Sequence, residues 1–280
     1  MMKSILVVGG VILVWALAVM PCLAVERAAS KPLAVVVGTE LIADIVRDLL
    51  ADQADILTLI PAASCPGHHD ARATDIAFIS HADAILLHVW QQKQKPILDA
   101  ITAADKSEQA VFITPAASWL MPENQIAASK EIFRIIAPLP GVDATAMEKR
   151  LHRRLEHIVA VTDACDKALW PYADTPVMAA TMQADFVKRL GMNVVADYGR
   201  AEDMSPATLM RLAEEGKKAD VQVVIDNMQS GGEAGAPLAG EMGAKHVVFS
   251  NFPLPDSETA SYAALLRHNC EALAQALVRK

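Results

Sequence analysis

Positive charge is in short supply in this chain. Its 25 Lys and Arg face 33 Asp and Glu, a formal net charge of −8. Loss of the first 24 residues would remove Lys3 and take the balance to 24 − 33 = −9. An acidic surface without a basic stripe argues against nucleic acid as a partner and offers no electrostatic reason to bind anionic lipid. The one basic cluster, Lys149, Arg150, Arg153 and Arg154, is flanked by Glu148 and Glu156. It reads as a solvated helix face with short pairs such as Arg153 to Glu156. Enzyme signatures are also missing. There is no G-x-S-x-G elbow, no G-x-G-x-x-G after the first strand and no P-loop, so the chain reads as a protein without a catalytic step. Gly231, Gly232 and Gly235 precede a helix and could cradle an anion, although glycines so placed more often only permit tight turns.

Cysteine is scarce as well. Of four, Cys65, Cys165 and Cys270 would remain after export, and an odd number leaves at least one unpaired in an oxidising compartment. Cys165 and Cys270 fall on helical patterns and read as small core residues. Cys65 sits in a loop beside two histidines. A Cys65/His69 nucleophile pair is conceivable, but the loop supplies no third group to orient it.

What the sequence does have begins at its N-terminus. Lys3 is followed by an uncharged apolar run from Ile5 to Val19 and then by Pro21-Cys22-Leu23-Ala24, the pattern of a cleaved signal peptide over residues 1–24. Ile5 to Val25 is also just long enough for an uncleaved membrane anchor. A lipoprotein is a third option, which Pro21 directly before Cys22 fits poorly.

The remaining chain is organised around Pro140 to Tyr172. Met147, Leu151, Leu155, Ile158, Val159, Thr162, Cys165 and Leu169 recur at helical steps, which puts them on one face. Asp143 and Thr145 compete as N-cap, Glu148 has capping-box spacing to Thr145, and Pro171 closes the segment. About 26 helical residues at 1.5 Å each would span about 39 Å, a strut rather than a packing helix. On both sides short apolar strands alternate with helical segments: Leu33–Gly38, Ile56–Ile60, Ala84–Val89 and Ala110–Thr114 before it, Val177–Ala180, Met192–Ala196, Val221–Asp226 and His246–Ser250 after it. That alternation predicts an α/β protein of two Rossmann-like lobes with parallel sheets, bridged by one long helix. The expected division is an N-terminal lobe over 31–142, the linking helix over 143–172 and a C-terminal lobe over 173–280.

Ligands of such sheets bind at the carboxyl ends of the strands, so the loops 61–73, 115–122, 181–185 and 226–235 are the ones to inspect. The first holds Cys65, His68, His69 and Asp70, a mixture of thiolate, imidazole and carboxylate that suits zinc, copper, iron or nickel and is too soft for calcium or magnesium. Met121 and Met182 add thioethers at cleft positions, and Asp226, Asn227 and Gln229 follow a strand of the second lobe. A methionine is more often a gap-filling core residue than a ligand. His81, His88, His152, His157, His246 and His268 lie within or beside regular elements and read as satisfied surface or core residues.

Together these features resemble the metal-binding, zinc- and manganese-type class of periplasmic receptors for ABC importers. Pro61 to Asp75 is similar to that family's first-lobe motif, and Pro115-Ala-Ala-Ser-Trp119-Leu-Met121-Pro-Glu-Asn124 to its N-P-H-x-W-L-D-P-E-N motif. Ala180-Thr-Met182-Gln-Ala-Asp-Phe186 is similar to its S-H-D-x-F loop. The resemblance implies a monomeric exported receptor that passes a metal ion to a membrane permease, with an acidic ligand near Asp226. This chain departs from the pattern at two of the usual ligand histidines, near Ala117 and near Thr181–Gln183. The remaining set is softer: Cys65, His68 or His69, Met121 and Met182, with zinc or copper as the expected ion. The alternative is a metal-free scaffold descended from such a receptor that docks a protein partner.

Overall fold

A computed structural model describes residues 31–64, 66, 72–114 and 118–278. The proposed leader, together with Cys65, His68 and His69, lies outside the described residues.

The expected alternation is present. The first sheet contains β1 (Leu33–Thr39), β2 (Ala54–Ile60), β3 (Ala84–His88) and β4 (Ala110–Ile113), all parallel, in the order β2-β1-β3-β4. Helices α1 (Glu40–Leu50), α2 (Ala73–Ile79), α3 (Lys95–Ala103) and α4 (Pro122–Ile136) cover it. After the long helix α5 (Ala144–Leu169) the pattern repeats with β5 (Pro176–Ala180), α6 (Thr181–Arg189), β6 (Asn193–Tyr198), α7 (Pro206–Lys218), β7 (Val223–Asn227), α8 (Ala236–Met242), β8 (Lys245–Phe249) and α9 (Tyr262–Leu277). Its sheet runs β6-β5-β7-β8, again all parallel. The strand order reverses between β1 and β3 in one sheet and between β5 and β7 in the other. In open parallel sheets that switch point opens a crevice at the carboxyl ends of the strands.

The strut starts where Asp143 can accept a hydrogen bond from the Ala146 backbone N–H at 3.0 Å, so the aspartate rather than Thr145 is its cap. Ser205 caps α7 in the same way, by accepting from Thr208 N. Gly191 ends the turn after α6 at a φ of +86°, a conformation that costs glycine little. The C-terminal helix begins at Tyr262, after Ser261, whose hydroxyl accepts from Ala264 N.

The buried face of α5 is Met147, Leu151, Arg154, Ile158, Val161, Cys165 and Leu169, against α1, α4 and α9. Two expectations change here. Val159 is 49% exposed, and Arg154, expected on the solvated face, is buried. Arg154 Nη1 pairs with Asp44 at 2.9 Å and also with Asp48, while Nε and Nη2 donate to Ser129 Oγ and Gln125 Oε1. The guanidinium is tolerated in the interior because all its edges are met. Cys165 and Cys270 are core residues as expected, but they are joined: a disulfide with Cα atoms 5.7 Å apart ties α5 to α9. One continuous apolar core runs from α1 and the inner face of the first sheet, through α5, to α9 and the inner face of the second sheet. Each sheet has its own smaller core on the far side.

Candidate metal-binding cleft

The two switch points line one cleft of about 820 Å³. Leu41, Pro66, His88, Trp90, Gln94 and Ser118 to Leu120 form the first-lobe wall; Ala180 to Met182, Asp185, Tyr198, Arg200, Asp203, Asp226, Asn227, Gln229, Asn251 and Phe252 form the other.

On the first wall the chemistry gathers at the last residue of β3. His88 is buried, with Nε2 2.6 Å from the Thr39 hydroxyl at the end of β1, so the two strands of the switch point meet through this pair. Trp90 stacks on the imidazole at 5.3 Å, and Trp119 meets it edge-on at 4.0 Å. The backbone N–H of His88 donates to Gln91 Oε1, and the Gln91 amide lies where a side chain at Gly38 would stand, which leaves that position to glycine. Burial pushes the His88 imidazole down to about 3, so it is neutral at any physiological pH. Its Nδ1 is buried and has no hydrogen-bond partner among the described residues.

The second wall is a network of amides. Asn227 Oδ1 accepts from Asn251 Nδ2 at 3.1 Å and from Gln183 Nε2 at 3.5 Å, and Gln183 also donates to Asn251 Oδ1 at 2.9 Å. Gln229 reaches across the cleft. Its Nε2 donates to Ala62 O of the first lobe at 2.9 Å and to Ser250 Oγ, while its Oε1 accepts from Asn251 N. Gln183 Oε1 is the other buried polar atom without a partner among the described residues.

The residues expected to form the site fall in different places. Met182 lines the cleft and is 64% exposed. Asp226 lines it too, but from full burial and with its oxygens engaged. Oδ1 accepts from Asn227 N, and Oδ2 accepts from Gly235 N at 2.7 Å and lies 3.1 Å from His246 Nε2. Three of its roughly four lone-pair directions are therefore taken by the protein. Burial and the neighbouring Asp226 carboxylate push the Tyr198 hydroxyl upward, and it stays protonated to donate to Ile225 O. Met121 stands before α4 and packs half-buried against the main core. Among the described residues no three His, Cys, Asp or Glu side chains converge as a metal cluster would require. His88 is the cleft residue that the sequence reading assigned elsewhere. The rule that singled out the loops after the other strands applies equally to the carboxyl end of β3, where it stands.

A family model for periplasmic zinc-uptake complex component A (ZnuA) matches residues 35–276. The chain belongs to the ZnuA family. Among solved structures, a crystal structure of ZnuA superposes with a TM-score of 0.73 at 18% identity, covering 88% of this chain and 99% of that one. A manganese-bound periplasmic metal-binding protein from Candidatus Liberibacter asiaticus gives 0.76 at 15% identity, covering 89% and 100%. A cadmium-bound form of the protein from that organism gives 0.73 at 15% identity, covering 89% and 100%. At such identities the likeness is one of fold. No curated protein matches the sequence. Membership in the ZnuA family accounts for two parallel-sheet lobes on one long helix, with a cleft between their switch points.

Proposed function

We propose that this chain is the exported receptor of an ABC importer, collecting a transition-metal ion outside the cytoplasmic membrane and presenting it to the permease. The observation that carries the reading is the family match over residues 35–276 on a fold whose two switch points share one cleft. Similar structures hold zinc, manganese or cadmium, which supports a metal ligand without choosing the ion. In this reading residues 1–24 are a cleaved leader, 31–142 and 173–280 are the lobes, and 143–172 is the strut. His68 or His69, Cys65 and the exposed thioether of Met182 are the proposed donors, a soft set suited to zinc or copper(I). Asp226 acts by holding Asn227 and Gly235 in place at the end of β7. Met121 contributes packing. There is no chemical step. The ion exchanges hydration water for donors on both lobes, and the continuous core through α5 restricts lobe motion to a small adjustment.

The test is the metal content of tag-free protein purified from the periplasm, beside a His68→Ala/His69→Ala double variant. One zinc or copper ion per parent chain and none in the variant supports the receptor and names the ion. An empty parent whose melting temperature does not rise with added zinc, copper(I), manganese or nickel refutes it and points to the metal-free scaffold.

A further inference from the structure

The cleft is large for a bare cation. An ion with six waters, at about 30 Å³ of liquid volume each, fills only about 200 Å³. The space of about 820 Å³ belongs to the range that holds small organic molecules, about 300–1,000 Å³. Its wall has the corresponding chemistry. Half-buried Trp90 offers indole surface on one side with the nearly buried Trp119 beside it, and the Asn227 and Asn251 amides offer donors and acceptors on the other. Among the described lining residues, the carboxylates of Asp185, Asp203 and Asp226 outnumber the guanidinium of Arg200, which makes the wall electronegative. Negative walls and indole faces both favour a ligand that retains positive charge. The first wall carries one buried polar atom without a partner among the described residues, His88 Nδ1. A buried group left in that state costs free energy, which a contact in the occupied cleft can offset.

We infer that the cleft takes its metal as a cationic complex with a small organic chelator of neutral nitrogen donors, seated between the indoles of Trp90 and Trp119 and the Asn227–Asn251 amides. This rests on the receptor reading and specifies the form of its cargo. The chelator fills the cavity and supplies part of the coordination shell, so the protein need not provide a full set of ligands.

The test uses the full mature chain, stripped of metal, in calorimetric titrations with zinc chloride, zinc–histamine and zinc–citrate, with tryptophan fluorescence recorded alongside. The series is repeated with copper(II). The expected result is that the histamine complex binds at least about tenfold more tightly than the chloride, the scale of one desolvated cation–π contact, and quenches the tryptophans. The anionic citrate complex should bind more weakly than the histamine complex. Trp90→Ala, at a half-buried position, should remove the preference for the histamine complex over the chloride. Trp119→Phe, a smaller change that keeps an aromatic ring against His88, should weaken the preference with less loss of packing. Chloride salts that bind as tightly as the histamine complexes overturn this inference and leave the receptor standing. So does a histamine preference that survives in both tryptophan variants. If no form of either metal binds, the receptor reading fails with it.

Discussion

At the scale of single residues, His88 shows what burial does to an imidazole. With the pKa pushed down to about 3, the folded protein refuses a proton that the unfolded chain accepts at its ordinary value of 6.5. Between those values the unfolded state binds more protons, so stability is greatest above the unfolded pKa and falls as the pH drops through 6.5 towards 3. The loss between pH 7 and pH 5 should be about 2 kcal/mol from this residue alone. Urea unfolding of the parent and of His88→Gln at the two pH values isolates the contribution. The parent should lose more stability than the variant by that amount, and equal losses would remove the argument. The sequence placed His88 at the edge of a strand and left it among the satisfied histidines. Its burial depends on Trp90 and Trp119 closing over the ring, and Trp119 is 31 positions away. No local pattern announces that contact.

At the scale of elements, strands and helices were legible because each carries its own period and its own punctuation, such as Ser205 before Pro206 or Gly191 after α6. Partnerships between elements were not. Cys165 and Cys270 are 105 residues apart, each on a helical pattern, and nothing in their spacing says that α5 and α9 lie side by side. Their bond closes a loop long enough to restrict the unfolded chain substantially. In the chain-entropy model it should contribute about 2–5 kcal/mol. Thermal unfolding with and without reductant, or of Cys165→Ser/Cys270→Ser, should show a clear drop in melting temperature. A melt that ignores both treatments would mean that packing of α5 on α9 suffices without the bond. Such a bond also suits a compartment in which thiols oxidise.

At the scale of the whole molecule, the lobes, strut and terminal helix meet at one charged junction. Asp44 of α1 accepts from Arg154 of α5 and, at 3.2 Å, from the backbone N–H of Tyr262 at the start of α9. Arg154 also holds Gln125 and Ser129 of α4, and the Tyr262 hydroxyl donates to Leu120 O at 2.8 Å. Burial and the carboxylates of Asp44 and Asp48 bear on Arg154 together, and the carboxylates prevail to hold its pKa above the ordinary value. The helical period already contained this residue, since Leu151, Arg154, Ile158, Val161 and Cys165 follow one another at steps of three and four. Its charge, beside Lys149, Arg150 and Arg153, assigned it to solvent, because a run of like charges usually lies there. The candidate site was half legible for a related reason. Rules of strand order placed Met182 and Asp226 in the cleft. They said nothing of the protein donors that occupy the Asp226 oxygens. Arg154→Ala should strand the Asp44 carboxylate in the interior and cost about 3–5 kcal/mol, the usual penalty for halving a buried ion pair. Because the junction joins four helices, the loss should appear as one lowered transition in urea, reported alike by tryptophan fluorescence and far-ultraviolet circular dichroism. A change below about 1 kcal/mol, the scale of an exposed pair, would show that water reaches the junction and that the continuous core alone unites the lobes.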